Sequence, residues 1–276
     1  MRAMIKRILI ATDGSDPAVS AEELGLFWAK RLDAEALALF VKDVRLIRAP
    51  EILDFGAISI PVPAYHEALD QALEARGQAV LEAFKRRAEA WGVKRVELLL
   101  RTGVPYQVIV EEARAADLAV LGRAGEQLGH EATGVGSTVE RVARTSPVPV
   151  MVAALEFTPV KRILVGYDGS DLAVRALHFI VDLAPGLEVV VVSVADDPDK
   201  AAVLAGEGVE YLAAHGVKAG AEALTGDPGE ALVEFQEPSD LLAMGAFGRG
   251  RVVEMLLGST TEFVLRRAVG PVLLVR

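Results

Sequence analysis

The chain has 276 residues, a formal net charge of −10 and no cysteine. At roughly 100 to 200 residues per domain, this length predicts two domains. The lack of cysteine excludes disulfide bonds, thiolate metal sites and a cysteine nucleophile. The negative charge and the scattered basic residues argue against nucleic acid and anionic membranes as partners. A small phosphorylated ligand is compatible with this charge distribution, because backbone amides can hold it.

No segment of the sequence has the pattern of a targeting or membrane-spanning element. No stretch approaches the roughly 20 apolar residues that cross a bilayer. The apolar run at residues 8–11 is also too short for the core of a signal peptide. We therefore expect a cytoplasmic protein with no membrane partner.

The sequence contains an internal repeat. Asp13, which begins an Asp-Gly-Ser turn after a Lys-Arg-Ile-Leu run, is matched by Asp168, 155 positions later. Gly122 is matched by Gly245, 123 positions later, so the second copy is shorter in its middle. The repeat predicts two fused copies of one domain, residues 1–154 and 160–276.

Each copy is predicted to alternate strands with helices. In the first copy the strands are predicted at 7–12, 37–41, 96–100, 118–121 and 148–153, and the helices begin near 16, 69, 105 and 137. In the second copy strands are predicted at 162–167 and 189–194, and the long second helix is shortened to 199–215. Continuous apolar runs favour parallel strands covered on both faces, and Leu24, Trp28 and Leu32 recur at helical spacing.

This alternation predicts an α/β fold with two tandem, doubly wound, Rossmann-like sheets. Residues 45–65, with three prolines, are expected to form a surface excursion that the second copy largely lacks. Each copy ends in a short apolar strand whose edge is otherwise open. We therefore expect these two edges to cover each other in an internal pseudo-dimer.

Two loops in each copy follow strands and carry the residues most suited to ligand binding. One is the Asp-Gly-Ser turn, and the other begins with a Gly-x-x-Gly segment and ends at Gly-Ser-Thr, which opens a helix. In an open parallel sheet, ligands bind beyond the carboxyl ends of the strands, where both loops lie. Glycines allow backbone amides to approach phosphate oxygens, and the helix N-terminus adds partial positive charge. The Ser and Thr hydroxyls can bind phosphate or the free amides of their own helix.

Asp13 and Asp168 would repel phosphate, so we expect them to accept from a ribose hydroxyl or a base amine, or to help hold Mg²⁺. Taken alone, each of these motifs is more often an ordinary turn or helix cap. Their recurrence in the same order in both copies favours the functional interpretation.

The segment Gly245-x-x-Gly248, nine further residues and Gly258-Ser259 resembles the ATP-binding signature of universal stress proteins. Asp168 and the closing Pro271-Val272 strand fit the same family. Both copies show the resemblance, so it covers nearly the whole chain. It implies a five-stranded sheet of order 3-2-1-4-5 in each copy, adenine contacts at Val41 or Val194, and bound ATP with Mg²⁺ held through its phosphates. It also implies a stress-response regulator that acts on an unidentified protein partner and that self-associates as a homodimer.

The expected binding residues come from both copies. In the first copy they are Ala11, Thr12, Asp13, Val41, Gly122, Arg123, Gly125, Gly136, Ser137 and Thr138. In the second copy they are Gly166, Tyr167, Asp168, Val194, Gly245, Ala246, Phe247, Gly248, Arg249, Gly258, Ser259 and Thr260. The first copy has ten residues, not nine, between Gly125 and Gly136, and Glu126 follows its glycines where Arg249 follows those of the second copy. We therefore expect tighter binding in the second copy.

Two other functions stay open. The chain could be a slow ATPase, or a docking protein in which one or both sites are empty. A related nucleotidyl transferase would need a His-x-Gly-His cluster, whereas the four histidines are separated from one another in the sequence. A P-loop enzyme would need a Lys after its glycines, and none is present there. We predict no catalytic residue and little or no hydrolysis.

Overall fold

The computed structural model describes residues 5–47, 62–125, 136–246 and 258–276. Strands and helices alternate along both halves of the chain. The strands of the first half are β1 (Arg7–Ala11), β2 (Glu35–Asp43), β3 (Val96–Gly103), β4 (Leu118–Leu121) and β5 (Val150–Val152). The strands of the second half are β6 (Arg162–Gly166), β7 (Glu188–Val194), β8 (Gly220–Leu224), β9 (Asp240–Gly245) and β10 (Val272–Val275).

The helices cover both faces of the strands. Those of the first half are α1 (Asp16–Leu32), α2 (Val44–Ile47), α3 (Val62–Trp91), α4 (Pro105–Ala113) and α5 (Ser137–Thr145). Those of the second half are α6 (Asp171–Leu183), α7 (Pro198–Ala214), α8 (Pro228–Phe235) and α9 (Ser259–Arg267). Among the described residues, none of these helices is both long enough and apolar enough to cross a bilayer.

The described strands form one ten-stranded sheet in the order β3-β2-β1-β4-β5-β10-β9-β6-β7-β8. Within each half the strands are parallel and follow the predicted order 3-2-1-4-5. The halves meet where β5 and β10 pair antiparallel, with Met151 opposite Leu273. Each terminal strand therefore covers the edge that the other would leave open, as the sequence predicts. Because β5 and β10 are antiparallel, the strands of the two halves point in opposite directions, and their carboxyl ends lie at opposite ends of the sheet.

The apolar core lies on both faces of the sheet. Successive residues of β1 alternate between the faces: Ile8 and Ile10 pack with α1 and α3, and Leu9 packs with α4 and α5. Trp28 of α1 is fully buried in the first of these layers, which continues from the first half into the second. The continuous apolar runs of the sequence therefore do form strands covered on both sides.

The connection after the second strand differs most between the halves. In the first half, β2 runs into the short helix α2, and α3 begins at Val62, seven residues before the predicted start at Leu69. Part of the predicted excursion at 45–65 is thus helical, and residues 48–61 lie outside the described part of the chain. In the second half only residues 195–197 separate β7 from α7. The predicted deletion from the second copy is therefore confirmed.

Candidate functional site

Each half has a cleft beyond the carboxyl ends of its strands. The cleft of the second half has a volume of about 770 Å³ and that of the first about 530 Å³. Both volumes fall in the range of about 300 to 1,000 Å³ that is usual for small-molecule sites. The loops that the sequence singles out converge on these two clefts.

The aspartate turn is built alike in both halves. Asp168 accepts a hydrogen bond from the Ser170 amide at 3.0 Å, and Asp13 accepts one from the Ser15 amide at the same distance. Gly169 and Gly14, the middle residues of the two turns, have φ of +77° and +79°, a left-handed conformation that favours glycine over other residues.

The serines of the two turns have different roles. Ser170 Oγ accepts from the Ala173 amide and caps α6, whereas Ser15 Oγ donates to Asp13 at 2.5 Å. Within its own turn, the Asp13 carboxylate therefore accepts from both the amide and the hydroxyl of Ser15, whereas the Asp168 carboxylate accepts from the Ser170 amide.

The first glycine of each Gly-x-x-Gly segment has a packing role. A Cβ on Gly245 would lie 2.5 Å from the Leu172 carbonyl carbon, and a Cβ on Gly122 would lie 2.5 Å from the Pro17 carbonyl oxygen. In both halves the N-terminal backbone of the first helix thus touches the end of the fourth strand. The sequence predicts that these glycines let a phosphate approach, but the close packing of helix on strand is by itself enough to require them.

The glycine before the last helix of each half is different. Gly258 and Gly136 are the N-cap residues of α9 and α5, with φ of −56° and −66°, which any residue can adopt. A Cβ on Gly258 would meet only Thr261 Oγ1, at 3.9 Å, among the described atoms. Neither helix has a side-chain cap, so helix geometry leaves first-turn amides at both clefts without an intrahelical acceptor. Among the described atoms, no packing contact requires glycine at position 258, whereas close approach of a ligand would.

Most of the expected binding residues that the structure describes line the two clefts. The first cleft is lined by Ala11, Thr12, Asp13, Val41, Gly122, Gly125, Gly136, Ser137 and Thr138, and the second by Gly166, Tyr167, Asp168, Val194, Gly245, Gly258 and Thr260. Phe247, Gly248 and Arg249, together with Glu126 and Arg251, lie outside the described residues.

Three expected residues do not line the clefts. Ala246 is buried in the core, and its amide donates to the Val275 carbonyl, so it is not available to a phosphate. Ser259 is exposed to solvent. Arg123, at the position equivalent to Ala246, is buried with 8% exposure, and its Nε and Nη2 have no hydrogen-bond partner among the described residues. Burial lowers the pKa of this guanidinium.

The first cleft has an extra wall that the sequence analysis did not anticipate. Leu73 and Arg76 of α3 line it, and Arg76 Nη2 donates to the Asp13 carbonyl oxygen at 2.9 Å. Arg45 also lines it and forms an ion pair with Asp43 at 2.6 Å. Burial raises the pKa of Asp43, but the hydrogen bonds from Arg45 outweigh that effect and the pKa lies below its usual value. Residues before and after the segment 48–61 thus contribute to the first cleft, a role that the greater length of the first copy alone did not indicate.

A buried polar network lies under the same cleft. Thr12, which lines the cleft, donates through Oγ1 to Glu22 Oε1 at 2.5 Å. Glu22, only 1% exposed, also forms an ion pair with Arg87 of α3. Burial raises the pKa of Glu22, although the hydrogen bond from Thr12 and the Arg87 charge oppose the shift. The network ties the end of β1 to both α1 and α3.

Both halves of the chain match one known protein family. A sequence model described as "Universal stress protein family" matches residues 4–154 and residues 159–276. The chain belongs to the universal stress protein family. The two matched ranges correspond to the two halves of the sheet, so this universal stress protein carries the family's domain twice.

Relatives support this tandem arrangement. The chain is 30% identical to universal stress protein Slr1230 of Synechocystis sp. over 289 residues, which covers 99% of this chain and 100% of that protein. It is 36% identical over 151 residues to universal stress protein MJ0531 of Methanocaldococcus jannaschii, covering 54% of this chain and 82% of that one. The crystal structure of a universal stress protein from Archaeoglobus fulgidus superposes with a TM-score of 0.75 at 25% identity and covers 98% of both chains.

In this universal stress protein two of the histidines are close together, which the sequence did not reveal. His178 and His215 both pack against Tyr211, with ring centroids 4.9 and 4.3 Å from the tyrosine ring and 6.0 Å from each other. The two histidines are far apart in the sequence, but α6 and α7 pack side by side and bring them together. Neither histidine lines the second cleft.

Proposed function

We propose that this universal stress protein binds ATP in both clefts and that occupancy, rather than hydrolysis, regulates a partner in a stress response. The binding units are residues 1–154 and 160–276. ATP brings Mg²⁺ with it through its phosphates. Within the described ranges, no group of three or more His, Asp or Glu side chains could hold a metal ion.

The observation that carries the proposal is the arrangement around Gly258. Among the described atoms, only Thr261 Oγ1 comes within 4 Å of its Cβ position, which lies beside the uncapped N-terminus of α9, where backbone amides and the helix dipole favour a phosphate. The apolar side chains of Val192, Val194 and Leu232 line the same cleft and suit a base. Asp168, which follows the strand between these two regions, suits the ribose hydroxyls because an ionised carboxylate only accepts hydrogen bonds.

Calorimetric titration with ATP and Mg²⁺ tests the proposal. We expect two binding events in the unaltered protein. Gly258→Val should remove the event in the second cleft, and Gly136→Val the event in the first, because each places a side chain where phosphate approaches the amides. Thermal melting of both variants checks that they fold. Absence of binding heat in the unaltered protein would contradict the proposal.

The same titration ranks the two clefts. The second cleft should bind more tightly, because its loop has the family's nine-residue spacing and Arg249 in place of Glu126. Gly258→Val should then remove the tighter event. If Gly136→Val removes it instead, the order of the two sites is the reverse of the one proposed.

A slow ATPase and a docking protein with empty sites are the two alternatives. No histidine lines either cleft within the described residues, and the carboxylates of Asp13 and Asp168 accept hydrogen bonds from the amides of their own turns, which favours binding over turnover. Phosphate release at about 1 s⁻¹ or faster in a single-turnover assay would assign the protein to the enzymes. A purified protein that carries no nucleotide and takes up none would be a docking protein.

A further inference from the structure

The cleft of the second half has two distinct ends. Because β7, β6, β9 and β10 are parallel neighbours, their carboxyl ends follow one another along a single edge of the sheet. Val194 ends β7 at one extreme of this edge, and Arg276 follows β10 at the other. Asp168 and Gly245 lie between them, and all four residues line the cleft. A nucleotide with its base at Val194 would extend its phosphates toward Arg276.

Two arginines line the β10 end of the cleft. Arg175 lies in the second turn of α6, and its Nη1 donates to the Arg276 carbonyl oxygen at 3.3 Å. Arg276 Nη1 donates in turn to the carbonyl of Arg144, in the last turn of α5 in the first half. Among the described residues that line this cleft, the carboxylates are those of Asp168 and Asp171, which belong to the turn after β6 and the start of α6. The β10 end is therefore the cationic end.

The equivalent positions of the first half show that the fold does not need these charges. By the repeat offsets of 155 and 122, Arg175 corresponds to Ser20, and Arg276 corresponds to Ala154. Ser20 Oγ donates to the Ala154 carbonyl oxygen at 2.8 Å, which is the same contact that Arg175 makes to Arg276. Ser20 and Ala154 are buried and do not line the first cleft. A serine thus supplies the structural contact to the carbonyl, so this contact does not itself require an arginine at position 175.

The arginines of the first cleft do not take the place of this pair. Arg45 is held by Asp43, and Arg76 donates to the Asp13 carbonyl oxygen, so both lie at the α2 and α3 side of the cleft. The two clefts therefore differ in the charge that they present beyond the fourth strand, although their glycines and aspartates match.

We infer that Arg175 and Arg276 form an anion subsite that binds the terminal phosphate of a nucleoside triphosphate in the second cleft. The inference rests on the proposed function, because nucleotide binding directs the phosphates to this end. Guanidinium groups bind phosphate oxygens with paired, charge-assisted hydrogen bonds. The second cleft should consequently discriminate between nucleotides by the number of their phosphates, and the first cleft should lack this particular means of discrimination.

The test exchanges the two arginines for their first-half counterparts. In a Gly136→Val background, which leaves the second cleft as the site measured, the pair Arg175→Ser and Arg276→Ala keeps a donor for the carbonyl contact and removes both charges. We expect the affinity for ATP, measured by calorimetry with Mg²⁺, to fall about tenfold or more, because hydrogen bonds to charged groups are lost. The affinity for AMP, which lacks the terminal phosphates, should change by less than about twofold.

A matched control removes two charges from the surface of the same half, outside the cleft. Lys218→Ala with Arg267→Ser, in the same background, should leave both affinities unchanged, since both side chains are exposed and neither lines the cleft. Thermal melting of each protein without nucleotide shows whether the lost contact to Arg144 alters the fold.

The outcomes separate this inference from the proposed function. If the Gly136→Val background binds ATP and the arginine pair can be removed without loss, the subsite is wrong and the proposed function stands. Equal losses for ATP and AMP, or a loss in the control as well, would also overturn the subsite. If the background binds no nucleotide at all, the proposed function fails in this cleft and the subsite fails with it.

Discussion

Gly245 and Gly258 differ in what a new side chain would meet, and the difference separates a glycine that packing requires from one that we propose to contact phosphate. Gly245→Ala would place a methyl group 2.5 Å from the Leu172 carbonyl carbon, where only movement of α6 could relieve the contact. We expect the free energy of unfolding to fall by about 1 to 3 kcal/mol in urea titration. Gly258→Ala, the matched change, should lower it by less than about 1 kcal/mol, the scale of an N-cap preference, while weakening ATP binding. Equal losses of stability would contradict this assignment.

Glu22 should make the stability of the protein depend on pH. Burial raises its pKa above the usual 4.5, so between that value and the higher folded pKa the folded protein holds a proton that the unfolded chain has lost. The free energy of unfolding therefore falls as the pH rises through this window, by at most about 1.4 kcal/mol per pH unit. Glu22→Gln removes this contribution of Glu22 to the pH dependence of stability, so the variant should gain stability relative to the unaltered protein as the pH rises.

Urea titrations of both proteins between pH 4 and pH 8 measure the effect. Glu82→Gln, an exposed position on α3, is the control for loss of one carboxylate. A difference between the Glu22→Gln variant and the unaltered protein that does not change with pH would show that the buried carboxyl group titrates alike in both states.

At the scale of single elements, α8 depends on its cap. Asp227 Oδ1 accepts from the amides of Gly229 and Glu230 at 2.9 and 3.1 Å, and the helix it caps supplies Pro228 and Leu232 to the second cleft. Asp227→Ala should lower the free energy of unfolding by about 1 kcal/mol. Asp227→Asn keeps an acceptor and should retain most of that stability. Equal midpoints for the two variants in urea would show that the cap contributes nothing.

The sequence predicts elements best where their signals are local. Continuous apolar runs locate β1 and β4, and Leu24 and Trp28 identify the buried face of α1. These elements are predictable because the period of a strand or helix can be recognised within a short stretch of sequence. The start of α3 at Val62 is not predicted, since Pro61 and Pro63 favour a loop interpretation of its first turn. Strand β8 was not assigned from the sequence, because it contains no β-branched residue.

The candidate site is less predictable than the fold because it is assembled from distant segments. The packing role of Gly245 depends on Leu172, and the pairing of Arg175 with Arg276 joins a helix to the residue after a strand. No local pattern marks such contacts. The repeat offsets align Arg175 with Ser20. The structure then shows that both side chains make the same carbonyl contact, so the positive charge of Arg175 is not needed for that contact.

At the scale of the whole molecule, the two halves share one sheet and one core. Val150, Met151 and Val152 are paired with the buried residues of β10, and one apolar layer includes both Trp28 of the first half and Leu273 of the second. A ligand or variant that changes the stability of one half therefore acts on a structure that the other half helps to form. Such sharing predicts that the halves unfold together.

Leu273→Ala tests this cooperativity. Leu273 is fully buried opposite Met151, so truncation should lower the free energy of unfolding by about 2 to 5 kcal/mol. Both tryptophans of the chain, Trp28 and Trp91, lie in the first half, so their fluorescence reports that half alone, whereas circular dichroism reports both. If the halves unfold as a unit, this second-half substitution lowers the urea midpoint equally by fluorescence and by circular dichroism. A fluorescence midpoint that stays in place while the dichroism signal splits into two transitions would show that the halves unfold independently in spite of their shared sheet.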